Sequence, residues 1–383
     1  MASFFFWCSA FALIHTYFLY PFLLVLIDRI GVPRFGTDSA GLAETELPTV
    51  SLIVAAYNEE KCIGEKISNS FALDYPSERF EMIVGSDGST DATDAIVRTA
   101  RYPRLRLSTA PRAGKTSVLN RCIPNAVGEI IILSDANTLI DGAAIRQLVG
   151  HFQNPQIGAV CGKLKLYNKV LKDYEESAYW HYESFIKRYE GYRGAVIGAN
   201  GGLYAIRRRL FTPLPRDTIV DDFLIALRIL LLGYKVVYEP SAIALEETTE
   251  DYGREFGRRA RIAAGNFQSL RTVPGLLSPF AGFPAFAFWS HKVLRWFAPL
   301  WMFTSLISNL RLLTSVFYTV TLCLQVSFYG LALAGKHNIF KGRMKRIASV
   351  AYYFVTMNLA MAVGFWRFAR SAQTAAWEPT ARG

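Results

Sequence analysis

Carboxylates are nearly missing from the last part of the chain. After Gly275 Lys and Arg continue but Asp and Glu almost stop, so the net charge of +11 belongs largely to that region. Its basic residues flank apolar runs, the arrangement of segments anchored at an anionic cytoplasmic leaflet, which argues against nucleic acid as the partner. Cysteine is also scarce. Cys8, Cys62, Cys122, Cys161 and Cys323 form no CxxC pair and no regular framework, which excludes a structural zinc site and a disulfide scaffold and fits reduced thiols. The first residues hold no basic stretch, and no A-x-A site follows Ile27, so the apolar run Ser3 to Ile27 reads as a retained anchor rather than a cleaved signal. Internal repeats, paired intramembrane acids and inverted halves are lacking too, which disfavours a secondary transporter.

What remains is a chain of 383 residues that is 51% hydrophobic, too apolar for an ordinary soluble enzyme. Between Glu44 and Ala244 short β-branched runs alternate with amphipathic stretches, the pattern of βαβ units around a mainly parallel sheet. Strands are expected at Val50–Ala55, Glu81–Ser86, Leu105–Ser108, Ile130–Ser134 and Ile157–Cys161, and helices at Glu59–Phe71, Thr90–Ala100, Lys115–Ile123 and Gly142–Phe152. An open α/β sheet of this kind binds ligands beyond the C-terminal ends of its strands. The stretch Arg254 to Arg271 reads as an interfacial helix. Apolar segments then follow at Val293–Ser308, interrupted by Pro299, at Leu312–Ala334 and at Ile347–Phe365. The basic linker Lys336–Arg346 is placed in the cytoplasm by the positive-inside rule. Counting crossings from it puts the α/β domain inside, the N-terminus outside and the C-terminal tail outside. The resulting division is an anchor at 1–29, a cytoplasmic domain at 44–250, interfacial helices at 251–292, transmembrane helices at 293–366 and a tail at 367–383.

The strand ends carry the polar motifs. Tyr57-Asn58-Glu59-Glu60 presents an aromatic face and polar groups suited to a nucleotide base, or an Asn cap ahead of a Glu-rich helix. In Ser86-Asp87-Gly88-Ser89-Thr90-Asp91, Gly88 allows a tight turn, Ser89 or Asp91 can cap the next helix, and Asp87 has nothing local to neutralise it. A carboxylate there suits an imide N–H or a ribose hydroxyl, although the segment also reads as a simple turn. Arg112-Ala113-Gly114-Lys115 sets two cations at a helix start, where backbone amides favour a diphosphate. It lacks the spacing of a P-loop, which disfavours an ATPase. Ile130–Leu133 is a buried strand delivering Asp135 and Asn137. As alternate residues of an extended chain they would share a face and meet one hard cation, Mg2+ or Mn2+; an Asx cap is the other reading. Asp221-Asp222 precedes an apolar stretch. Adjacent carboxylates raise at least one pKa and suit a general base, or else they simply begin a helix.

In order, VAAYNEE, SDGSTD, AGK, SDAN, VDDF and RRARIAAGN resemble the family 2 glycosyltransferases over about Pro48 to Gly265. With an anchor before and crossings after, the resemblance extends to the cellulose, hyaluronan and chitin synthase group. It implies a GT-A fold, inversion at the anomeric carbon by one in-line displacement, and a nucleotide-sugar donor. Tyr57, Glu59 and Asp87 would then hold the nucleoside, and Lys115 the diphosphate, with Arg258 and Arg261 on the donor side. Asp135 and Asn137 would hold the metal, Asp222 would be the base and Asp221 its supporting acid. Gly198, Asn200 and Gly201 fall where the family forms its acceptor wall.

Three positions depart from the pattern. Ser86-Asp87 stands where many relatives have two acids, and Asn137 stands where the metal motif usually ends in Asp. Arg258, Arg261 and Ile262 occupy the places of a Q-x-x-R-W motif. Ile262 offers no stacking platform for a sugar, which favours addition of one or a few sugars to a lipid-linked or growing exopolysaccharide acceptor over processive synthesis with extrusion. A different class, a nucleotide-sensing scaffold without catalysis, is disfavoured by the retention of Asp135 and Asp222. The expected location is the plasma (inner) membrane, multi-pass, with membrane lipids as partners.

Overall fold

The computed structural model describes residues 1–36, 43–168, 173–174, 178–247 and 252–371, which fall into two compact units. The part of the expected tail beyond 371 lies outside the described residues. The chain opens with helix α1 (Ala2–Ile14), a π-helical turn (His15–Leu19) and α2 (Tyr20–Arg29). Together these 28 residues are long and apolar enough to cross a membrane, as the composition of that stretch requires.

Among the described residues, the larger unit draws on 24–247 and 273–287. Strands β1 (Val50–Ala56) and β2 (Phe80–Asp87), linked by α3 (Ile63–Phe71), are buried along their whole length, as expected of strands covered on both faces. After α4 (Thr93–Thr99) come β3 (Leu105–Ala110), α5 (Lys115–Cys122), β4 (Ile130–Asp135), β5 (Thr138–Ile140), α6 (Ala144–Gly150) and β6 (Ile157–Asn168). Short β7 (Asp173–Tyr174), α7 (Ala178–Tyr192), β8 (Tyr204–Arg207), α8 (Asp221–Leu231) and β9 (Lys235–Glu247) complete the unit. The sheet order is β3-β2-β1-β4-β8-β6-β9-β5, with β7 on β6. From β3 to β4 all pairings are parallel, whereas β8 runs antiparallel to both β4 and β6. The five expected strands and four expected helices all form, most within a few residues of the expected bounds; β6 runs on seven residues past Cys161, pairing with β9 along that extension.

One apolar cluster joins Leu52, Val54, Met82, Val84, Ile130 and Ile132 of the sheet to α3 and α6. Helix α3 buries Ile63, Lys66, Ile67 and Ser70, a single stripe at helical spacing. Lys66 therefore sits on the face that should be wholly apolar. Parallel connectivity brings the C-terminal ends of β1, β2 and β4 to one edge, where Tyr57, Asp87 and Asp135 lie.

Among the described residues, the second unit draws on 1–23, 252–272 and 288–371. It contains α9 (Tyr252–Thr272) and follows, after α10 (Phe283–Ala287) of the first unit, with a π-helical turn (Phe288–Val293), α11 (Leu294–Trp296), α12 (Ala298–Leu310), α13 (Val316–Lys336) and α14 (Gly342–Ala369). Helices α13 and α14 are long and apolar enough to span a bilayer. The expected segment 293–308 is interrupted as its Pro299 implies: the helical path breaks at Phe297, with Pro299 in the first turn of α12, because proline cannot donate the bond that would continue the preceding helix. Helix α12 nevertheless packs along α1. The two π-helical turns meet in this unit: His15 Nε2 lies 2.8 Å from Ser290 Oγ, and Thr16 Oγ1 donates to the Ser290 carbonyl at 2.6 Å. Helix α9, expected as an interfacial helix, packs on α14, where Phe267 meets Phe365 at 5.0 Å and Arg271 lies over Phe368.

Candidate active site

The end of β1 and the loop after β2 are stitched together. Asn58 Oδ1 accepts the Thr90 amide at 2.8 Å, the Glu59 amide donates to Thr93 Oγ1 at 2.8 Å, and the Glu60 amide donates to Asp91 Oδ2 at 3.1 Å. Glu60 Oε2 accepts the Ala92 amide in return. Glu59 points its Oε2 at the Cys62 thiol, 3.1 Å away. Tyr57 lies under the guanidinium of Arg112, 4.0 Å from ring centre to carbon, so the aromatic and one of the two cations of the RAGK loop form one stack.

Asp87 departs from expectation. It is buried, and its two oxygens accept the Ala113 and Gly114 amides at 2.7 and 2.9 Å. The neighbouring loop thus neutralises the carboxylate that sequence proximity leaves alone, because β2 ends directly beside the start of α5. Asp87 shapes the cation-bearing loop with the oxygens that were expected to face a nucleoside.

At the other side of that loop Lys115 joins the acids. Its Nζ lies 2.8 Å from Asp135 Oδ1 and 3.5 Å from Asp221 Oδ2. Burial alone would lower its pKa, but the charges of Asp135, Asp221 and Asp222 outweigh that and raise it, so it stays an ammonium. Asp222 Oδ1 accepts the Phe223 amide at 2.8 Å in the first turn of α8. Burial, with the adjacent Asp221 as the next cause, pushes the Asp222 carboxyl up to about 6, into the range of a working general base.

Gly201 brings the acids to one place. A Cβ there would stand 3.2 Å from Asp222 Oδ2 and 3.4 Å from Asp135 Oδ2, so two carboxylate oxygens on distant segments border the space that a side chain would fill. Gly198, at φ +93°, has a packing reason of its own, since a Cβ would stand 2.3 Å from the Phe223 ring. Asn200 donates to the Gly162 carbonyl at 3.1 Å and accepts from Lys187. These three residues do lie in the loop beside the acids.

Asn137 is the second departure. β4 ends at Asp135 and the chain turns at Ala136–Asn137, so the two residues are not alternates of one strand and share no face by that argument. The Asn137 amide donates to Glu246 Oε1 at 3.3 Å. Among the described residues no group of three His, Cys, Asp or Glu side chains is arranged to hold a metal. The donor set that fits a hard cation is the Asp135 oxygen facing the Gly201 space, in the manner of ions held by one or two carboxylates and completed by substrate phosphates. Arg258, expected on the donor side, pairs with Glu255 at 2.8 Å within α9, as does Arg259 at 2.6 Å; Arg261 lies on the same helix.

Sequence reasoning missed Lys66. It is wholly buried, and its Nζ donates to Ser134 Oγ at 2.7 Å and to the Thr138 carbonyl at 2.6 Å. Ser134 in turn donates to the Gly202 carbonyl at 2.7 Å. Burial drives Lys66 down to about 7, against the opposing charge of Asp135. The chain of bonds ties α3 to the residue before Asp135 and to the glycine after Gly201. Its signal in the sequence was a Lys inside an apolar stripe.

The parallel strand edge, the loop cations and the converging acids define a GT-A-type domain of the kind that handles nucleotide-linked sugars. Residues 48–265, more than half of the chain, match the family described as Glycosyltransferase like family 2. The chain belongs to that family. It is 28% identical over 233 residues to the poly-beta-1,6-N-acetyl-D-glucosamine synthase of Staphylococcus aureus, covering 59% of this chain and 56% of the relative. Similarity to the synthase of the same name in Staphylococcus epidermidis is again 28%, over 58% and 55%. The chain thus spans about half the length of these curated relatives. The fold is shared with the mannosyltransferase PcManGT from Pyrobaculum calidifontis, solved in complex with GDP-Man and Mn2+, at TM-score 0.73 and 22% identity over 97% of this chain and 100% of that one.

Proposed function

We propose that this chain is an inverting glycosyltransferase that moves a sugar from a nucleoside-diphosphate donor, a UDP-sugar by preference, to a lipid-linked or growing exopolysaccharide acceptor at the membrane. The observation that carries the reading is the meeting of Asp222 and Asp135 across the gap at Gly201, with Lys115 bridging Asp135 and Asp221 behind it. Asp222 takes the proton of the acceptor hydroxyl as its oxygen attacks the anomeric carbon, and the bond from that carbon to the diphosphate breaks on the opposite side. Asp221 supports the base. Lys115 and the Arg112-to-Lys115 loop, shaped by Asp87, stabilise the departing diphosphate, while Tyr57 and Glu59 line the nucleoside side and Asn200 and Gly201 the acceptor side. Asp135 would hold Mg2+ or Mn2+, an ion that when bound neutralises phosphate charge. The Mn2+ bound by the mannosyltransferase PcManGT supports that choice.

A cytoplasmic position for the α/β domain is part of this reading; the basic linker between α13 and α14 supports it, and the packing of α12 along α1 fits α12 as a further crossing. The synthase name of the relatives supports an exopolysaccharide acceptor and favours, as a second reading, repeated addition to one polymer. Ile262 favours short products. Purified protein incubated with a panel of nucleotide sugars and Mg2+ or Mn2+ tests the assignment, with mass spectrometry of the product counting sugars per acceptor. Absence of diphosphate release with every donor, or full activity in Asp222→Asn, overturns it.

A further inference from the structure

Tyr204 places a large polar side chain in the middle of the sheet, close enough to the acids to feel their charge. It is 1% exposed, and among the described residues its hydroxyl has no hydrogen-bond partner. In register it stands opposite Leu133 on one side and Cys161 on the other. Directly opposed residues share a sheet face, and Asp135, two residues beyond Leu133, continues that face. Burial, then the charges of Asp221, Asp222 and Asp135, raise the phenol well above its ordinary value, so it remains a donor. Asp221 Oδ2 is likewise buried without a hydrogen bond among the described residues, held by the Lys115 ammonium at 3.5 Å. A buried donor with no hydrogen bond, near a buried acceptor held only at 3.5 Å by a lysine that it shares with Asp135, is unfavourable in the resting protein and points to a second arrangement that uses them.

We propose that Tyr204 is a positioning residue for the acid pair: when Lys115 turns from Asp221 to an incoming diphosphate, the Tyr204 hydroxyl donates to Asp221 Oδ2 and holds Asp221 and Asp222 in place while Asp222 accepts the acceptor proton. The inference rests on the assignment of Asp222 as base. It explains why a tyrosine, and not a phenylalanine, fills an otherwise apolar position between Leu203 and Ala205, both of them buried.

Full-length protein in detergent tests it through Tyr204→Phe, Lys115→Met and the double variant, with Lys115→Gln replacing Lys115→Met should the latter not fold. In the native background Tyr204→Phe is expected to leave the melting temperature unchanged or raised, since an unpaired buried hydroxyl is removed. In the Lys115→Met background, where Asp221 has lost its cation, the same change lowers it. An equal shift in both backgrounds, or a larger loss in the native one, overturns the proposal. With UDP-N-acetylglucosamine and GDP-mannose as donor probes and Mn2+ present, kcat of Tyr204→Phe falls about tenfold or more while donor KM stays within about twofold. An unchanged kcat in an active native enzyme also overturns it. If the native protein releases diphosphate from neither probe nor from any other nucleotide sugar of the panel, the glycosyl-transfer reading fails, and the melting temperatures still decide whether Tyr204 and Asp221 couple.

Discussion

Two sides of one strand edge are built on opposite terms. On the side of Tyr57 and Asp87 the polar groups satisfy one another: Asn58 with Thr90, Glu60 with Ala92, Asp87 with the amides of Ala113 and Gly114. On the side of Asp135, Asp221 and Asp222 one lysine serves two acids, and the Tyr204 hydroxyl and Asp221 Oδ2 have no hydrogen bond among the described residues. The first side is a frame whose polar groups are largely satisfied within the protein. The second crowds carboxylates at a cost in stability, which is the environment that the proposed base requires.

That contrast breaks most sharply at Asp222. Asp222→Asn is expected to lower kcat by about 10²–10⁴-fold while leaving the melting temperature unchanged or higher, since a like-charge neighbour of Asp221 is removed. A comparable loss of stability in thermal unfolding would place Asp222 in the frame. Gly201→Ala inserts a Cβ 3.2 Å from Asp222 Oδ2 and 3.4 Å from Asp135 Oδ2. It should cut turnover by about tenfold to a hundredfold and change folding stability by less than about 1 kcal/mol, read by diphosphate release and by urea titration.

The pH profile sharpens the comparison further. The base must be ionised to work, and the Asp222 carboxyl lies at about 6, so kcat falls as pH drops through that value, by about tenfold per unit at the limit. A profile flat from pH 7 to pH 5 rules out Asp222 as the titrating base. The smallest expected effects on chemistry belong to the frame. Asp87→Asn keeps the shape but removes the charge that accepts two amides, and should cost about 1–3 kcal/mol of folding stability in urea. Its kcat at saturating donor should change less than that of Gly201→Ala. Lys66→Met removes the bonds to Ser134 and Thr138 and separates the two sides: a stability loss alone places it in the frame, and a kcat loss places it with the acids.

Much of the frame was legible in sequence because it is local. Four strands ending in YNEE, SDGSTD, an RAGK loop and SDAN specify strand, turn and helix within a few residues of each other, and all four strands form where expected, although Asp87 and Asn137 within them take partners that were not expected. The acid-bearing side was legible only as separate pieces. Nothing in the spacing of Asp135, Gly201 and Asp222 says that they meet, because β8 enters the sheet antiparallel between β4 and β6, a pairing between segments far apart in the chain. The parallel pairing of β2 with β3, which sets Asp87 beside Ala110 and the loop that follows it, gave Asp87 its amide partners, while the turn at Ala136 removed Asn137 from the strand face.

By itself the sequence determined the class of domain, the apolar helices beside it and the residue types at each strand end, because period-2 and period-3.6 burial and turn chemistry act over short stretches. Only the tertiary structure decided which of those residues face one another. Lys66 and Tyr204 are ordinary members of an apolar stripe and an apolar strand until the sheet closes over them. Their polar atoms are then confined among a few groups from distant parts of the chain, and which groups those are depends on strand order and register.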